Sequence, residues 1–183
     1  GRLSWLLQSG RLKSILTIER DHRPEDNVLL FAVETGMANQ YILDLSRNVR
    51  RGIQGKLERG DLPGLAPVGY LNDPATKTVV PDPQRFESIA MAWQWLLRGT
   101  HSVPQILARL NDNGFRSAPR PHSGGCPLAL SGLYRLLSNP FYAGLIRHGG
   151  RTFAGRHKPM ITLVQFQTAQ ALLHSPTRPR PQK

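Results

Sequence analysis

The stretch Leu133-Tyr134-Arg135-Leu136-Leu137-Ser138-Asn139-Pro140-Phe141-Tyr142-Ala143-Gly144 narrows the possible folds of this chain more than any other. Its leucines sit at helical spacing, and Asn139-Pro140 stops the helix, because proline lacks the N–H that another turn needs. Phe141-Tyr142 then makes an aromatic entry into a strand. Upstream, a second helix closes on Leu110-Asn111-Asp112-Asn113-Gly114. Downstream, Gly149-Gly150 joins Leu145–His148 to Arg151–Ala154 as a two-residue hairpin. Two short helices, a Gly-containing turn region and a basic strand pair predict an α+β, predominantly helical fold. The expected form is a helix-turn-helix with a wing.

The remaining elements follow from periodicity and caps. Leu3, Trp5, Leu6 and Leu7 predict one or two helical turns ended by Gly10, and residues 14–18 a short strand. That helix–strand unit has nothing before it to pair with, so residues 1–25 are expected to be the remnant of a truncated α/β domain. From Pro24-Glu25-Asp26-Asn27 onward, Leu30, Val33, Met37, Tyr41, Leu45, Val49, Ile53 and Leu57 recur every three or four residues. They predict one helix over 26–59, roughly 45 Å long. Gly36, Gly52 and Gly55 weaken it, so its apolar stripe needs a partner. A Pro/Gly linker over 60–67 breaks this helix, and a small hairpin flanks Asn72-Asp73-Pro74. Asp82 is expected to N-cap the next helix, with Pro83 at its first position and Phe86, Ile89, Trp93, Leu96 and Leu97 on its buried face. Ser102/Gln105 and Thr162/Gln165 have capping-box spacing and open two further helices, and Pro127 is expected at the start of the one carrying Leu133, Leu136 and Leu137. The basic, Pro-rich tail over 175–183 reads as an extended linker.

Charge limits the partners. The net charge is +12, but residues 109–183 carry eleven Lys/Arg against the single acid Asp112. A half with that balance is built for a polyanion. No apolar run is long enough for a membrane span, and no secretory signal pattern is present. Cys126 stands alone and the six histidines are scattered without ligand spacing, so no metal or cofactor is expected. These features suit a reducing, cytoplasmic setting.

Taken in order, Arg50-Arg51-Gly52 and Gly60, Gly69-Tyr70, Leu110-Asn111 with Gly114, residues 136–144, His157-Lys158-Pro159-Met160-Ile161 and Phe166 resemble the large serine recombinases. The resemblance covers nearly the whole chain: the end of the catalytic domain, its long helix, and the "recombinase" DNA-binding domain over 68–174. It implies integration, excision or inversion of DNA through a phosphoserine intermediate. The nucleophile's Tyr-x-Arg-x-Ser stretch is missing, and Gly1-Arg2-Leu3-Ser4-Trp5 departs from the family's Asp-Arg-Leu-Ser-Arg element at both ends. No catalytic role is therefore carried onto Arg2 or Ser4, and the chain alone is expected to be inactive. The family also implies self-association through the long helix in the full-length parent, with its basic end near the crossover DNA, and a nucleoid-associated protein of prokaryotic or phage type.

In a helix-turn-helix the second helix enters the major groove. Ser131, Tyr134 and Arg135 point away from the leucines and are the base-reading candidates. For Arg135, a bidentate guanine contact, worth about 1–3 kcal/mol of discrimination, stands beside a phosphate contact. Arg109, Arg116 and Arg120 flank that helix and are expected to neutralise phosphates. Arg147, Arg151, Arg156 and Lys158 suit backbone or minor-groove contacts from the wing, and Arg50, Arg51, Lys56 and Arg59 do so from the long helix. If roughly 5–8 cations touch phosphates, log K falls with log salt at a slope of about −4 to −7. Phe141 and Tyr142 are expected in the core rather than stacked on bases. Two other readings stay open: a stand-alone winged-helix regulator and a basic RNA-binding protein.

Overall fold

The computed structural model describes residues 2–17, 21–26, 28–118 and 125–174. The chain divides into two compact units, Gly1–Gly52 and Ile53–Lys183. In the first, helix α1 (Arg2–Gln8) precedes strand β1 (Ile15–Leu16), which pairs antiparallel with β2 (Asp21–His22). The buried His22 lies 3.5 Å from Glu34 and meets the Phe31 ring edge-on. Helix α2 (Val28–Glu58) begins here and continues into the second unit. Within the first unit its apolar residues face outward: Met37 and Tyr41 are each 69% exposed, and Leu30, Val33, Leu45 and Val49 are exposed too.

The second unit opens on the last turns of α2, where Leu57 enters the core. The helix stops in a Schellman motif: Asp61 N donates to Lys56 O at 2.9 Å and Gly60 N to Leu57 O at 3.0 Å. Gly60 takes φ +78° at the point where a side chain would strike Ala154 O, so no other residue fits this position without strain. Hairpin β3 (Tyr70–Asn72) with β4 (Val79–Pro81) follows, paired Leu71 to Val80.

Helix α3 (Phe86–Leu97) starts later than Asp82 would cap it. Asp82 instead organises the preceding turn. Its carboxylate accepts from Gln84 N at 2.9 Å and pairs with Arg85 at 2.9 Å, while its backbone carbonyl accepts from Phe86 N. Helix α4 (Val103–Asp112) begins as its capping residues require, with Gln105 Oε1 accepting from Ser102 N at 2.8 Å. Helix α5 (Leu130–Leu137) begins three residues after Pro127. Asn139 then halts it: the Asn139 side chain accepts from Phe141 N at 3.1 Å and starts the 3₁₀ turn Pro140–Ala143.

Strands β5 (Leu145–His148) and β6 (Arg151–Ala154) pair around Gly149 and Gly150, whose φ values of +55° and +78° are those a type I′ turn demands. Helix α6 (Leu163–His174) opens on reciprocal Thr162–Gln165 bonds. Helix α3 packs against α4 and α6, and α4 against α5. Trp93, Ile89, Leu96, Ile106, Leu133, Leu137 and Tyr142 are fully enclosed between them. The expected α+β, mainly helical architecture with small antiparallel strand pairs is what forms.

Candidate nucleic-acid interface

Helix α5 is held at both ends before it presents anything outward. At its start, the Asn111 side chain exchanges two 3.0 Å bonds with the backbone of Leu128. This makes a side-chain amide serve as a strand partner for a loop that has none. At its end, Gln170 of α6 donates to the otherwise orphaned Leu137 carbonyl at 2.7 Å. Leu133, Leu136 and Leu137 are buried, so Ser131, Tyr134 and Arg135 lie exposed on the opposite side.

The path between α4 and α5 is longer than a simple turn. It leaves Gly114 at φ +76° and is pinched at Ser117, whose N–H donates to Cys126 O and whose carbonyl accepts from Gly125 N, both at 3.0 Å. Arg85 fixes the approach to this pinch by donating to Arg116 O at 2.8 Å. Arg120 lies outside the described residues.

Next to α5 is an open groove lined by Pro67, Val68, Leu128, Gly132, Arg135, Leu136, Ser138, Asn139, Tyr142 and Arg147. It brings the outward arginine of α5 and the first arginine of the hairpin to one surface. Its floor is pinned by Tyr142 Oη donating to Val68 O at 2.7 Å. Arg109 and Arg116 are not part of this lining: Arg109 lies over the Trp95 ring, and Arg116 bonds the carbonyl of Phe115.

The other expected cations are arranged differently. Arg151 sits over Phe153, and Lys158 over Phe86. Arg59 and Arg156 share one acid: Asp61 lies 3.4 Å from the first and 4.0 Å from the second. Lys56 is exposed on the last turns of α2, whereas Arg50 and Arg51 belong to the first unit. Asp61, Arg85 and the Pro67-Val68 wall escaped sequence reading, since Arg156, the Arg116 carbonyl and Tyr142, which fix their places, lie far along the chain.

Behind the hairpin is an aromatic cluster. His157 stacks on Phe141 with centroids 3.6 Å apart, and its Nε2–H donates to Phe141 O at 2.6 Å. Burial lowers the His157 pKa, the carbonyl bond opposing it in part. Tyr70 meets Phe86, Phe141 and His157 edge-on and donates to Lys158 O at 2.7 Å. Burial pushes the hydroxyls of Tyr70 and Tyr142 far above their ordinary range, so both stay protonated donors. Phe141 and Tyr142 are core residues, as expected.

Comparison with known proteins identifies this arrangement. A family model described as Recombinase matches residues 83–175, which run from the turn before α3 to the end of α6. The chain belongs to the Recombinase family. Two solved structures share this fold. One is described as "Crystal Structure of a LSR-DNA Complex" and has a TM-score of 0.53 at 18% identity, covering 69% of this recombinase chain and 37% of its own. The other is described as "Sequence Requirements of the Listeria innocua prophage attP site" and has a TM-score of 0.55 at 17% identity, covering 69% and 51%. The chain thus spans between a third and about half of the length of these structures. No curated protein matches it. Among the described residues of this recombinase chain, no helix is long and apolar enough to cross a membrane, and no acid, His or Cys cluster is placed to hold a metal.

Proposed function

We propose that residues 68–174 bind one half-site of a double-stranded DNA attachment site in a sequence-specific manner, as the DNA-binding part of a site-specific serine recombinase. In this reading α4 and α5 act as a helix-turn-helix and α5 enters the major groove. Ser131 and Tyr134 face base edges, and the β5–β6 hairpin lies against the backbone or minor groove. The observation that carries it is the convergence of Arg135 and Arg147 on one groove without an acid in its lining, in the part of the chain that holds most of the net positive charge. The similar structure described as an LSR–DNA complex supports the same partner.

The phosphoserine chemistry of integration, excision or inversion then belongs to a nucleophilic serine to which no residue of this sequence is assigned. The exposed apolar stripe of α2 serves self-association in the assembled recombinase, and Arg50, Arg51, Lys56 and Arg59 lie towards the crossover DNA. The protein would work on the nucleoid, in the cytoplasm of a prokaryotic cell.

Selection from a random pool of duplexes, with structured RNA as competitor, tests this reading. Recovery of one enriched motif of half-site length is the expected result. Even recovery across sequences, or preference for the RNA, would instead mark a basic RNA-binding protein. A motif that maps to promoters rather than to the ends of a mobile element would favour a winged-helix regulator.

A further inference from the structure

We infer that the groove between α5 and the β5–β6 hairpin seats the sugar–phosphate backbone of one DNA strand, with Arg135 and Arg147 clamping the same stretch of phosphate. This rests on the DNA-binding reading above and refines it. Arg135 becomes a backbone clamp rather than a base reader.

The lining carries the argument. Pro67, Val68, Leu128, Leu136 and Tyr142 give it an apolar wall and floor, which suits the carbon face of deoxyribose. Its only charges are the two guanidinium groups, and neither has an ion-pair partner among the described residues. Arg59 and Arg156, by contrast, are each held near Asp61. A guanine edge offers O6 and N7 to one guanidinium fork. A phosphate presents acceptor oxygens in several directions and can take forks from two arginines at once. Two unpaired arginines on one surface therefore match a phosphate better than a base. Ser138, exposed at the same rim, adds a neutral hydroxyl donor.

The groove is also preformed. Val68 is fixed by the Tyr142 hydroxyl at 2.7 Å, and Pro67 by Tyr70 N at 3.0 Å. Arg147 is anchored on a strand pair in register with Thr152. Gly132 lines the same groove, and a Cβ there would crowd Leu128 Cδ1 at 3.2 Å.

The test is a series of selected duplexes, each with one phosphate replaced by a neutral methylphosphonate. The intact chain is compared with Arg135→Ala and Arg147→Ala, and Arg135→Lys and Arg147→Lys serve as charge-keeping controls. For the intact chain, one phosphate or two neighbouring ones should each lose about tenfold in affinity when neutralised, the scale of one charge-assisted contact. Those same replacements should cost clearly less in either alanine variant, because only one of the two arginines is then left on the phosphate. Each alanine variant should lose affinity evenly across base substitutions, with a salt slope shallower by about 1. The lysine variants should keep most of the slope, and melting curves establish that all four fold.

Two results overturn the inference. In one, Arg135→Ala relaxes the preference at a single base pair and keeps full phosphate sensitivity. In the other, the two variants lose sensitivity at phosphates far apart. Failure of the underlying reading looks different, since the intact chain would then show no preferred duplex at all.

Discussion

At the scale of single residues, charge is governed by who holds whom. Asp61 is 19% exposed at its side chain and lies between two arginines that are 62% and 69% exposed. Exposed pairs of this kind contribute about 0–1 kcal/mol to stability, so a DNA phosphate can displace the carboxylate. Replacing Asp61 with Asn should leave the melting temperature nearly unchanged, tighten DNA binding several-fold at low salt, and steepen its salt dependence. Unchanged binding with a clear loss of stability would make Asp61 only an anchor for the linker. Burial of His157 makes stability depend on pH on the acid side. Burial disfavours its charged form, so its folded pKa lies below the ordinary value of about 6.5. Below that value the unfolded chain takes up a proton that the folded chain refuses. The contribution is therefore complete above pH 6.5 and is lost as pH falls towards the folded pKa. Melts between about pH 5 and 8 should show this acid loss, and a His157→Gln variant should flatten it. Equal pH profiles for the two proteins would contradict the assignment. None of this was legible in the sequence: Asp61 and Arg156, or Phe141 and His157, meet only after folding, and no local spacing announces a contact between them.

At the scale of elements, legibility tracked local physics. Helix ends marked by Ser102/Gln105, Thr162/Gln165 and Asn139-Pro140 form as read, because a cap is decided by neighbours within a turn. Asp82 does not cap α3, which starts at Phe86; one of its carboxylate oxygens accepts from Gln84 N and the other pairs with Arg85, so it orders the preceding turn. The α4–α5 connection was legible only at its Gly114 end, since its order comes from the Asn111–Leu128 exchange and the Ser117–Cys126 pinch. Asn111→Ala removes two bonds at once and leaves the partly buried backbone groups of Leu128 without partners. It should cost about 1–3 kcal/mol in denaturant unfolding and lower DNA affinity, because α5 loses its fixed start. Full affinity in a variant destabilised by that amount would show that α5 needs no such anchor. The stripe on α2 gives the second prediction at this scale. With Met37 and Tyr41 each 69% exposed, Met37→Glu with Tyr41→Glu should abolish concentration-dependent association in sedimentation while preserving the far-ultraviolet spectrum. Association that persists would exclude the stripe as the interface.

For the molecule as a whole, the second unit joins an enclosed aromatic and aliphatic core to most of the chain's net positive charge. The core does not choose a ligand, but it holds α5, the hairpin and the Pro67-Val68 wall in fixed relation, and that relation brings Arg135 and Arg147 to one groove. Composition alone pointed to a polyanion, and family motifs pointed to DNA. Which cations work together depended on tertiary geometry. The central claim is therefore best tested on the footprint as a unit, by measuring duplex affinity across a range of salt concentrations. The account predicts a linear fall of log K with log salt, with a slope of about −4 to −7, for roughly 5–8 phosphate contacts. A slope near −1 would contradict it, because so shallow a dependence leaves no room for more than about one phosphate contact.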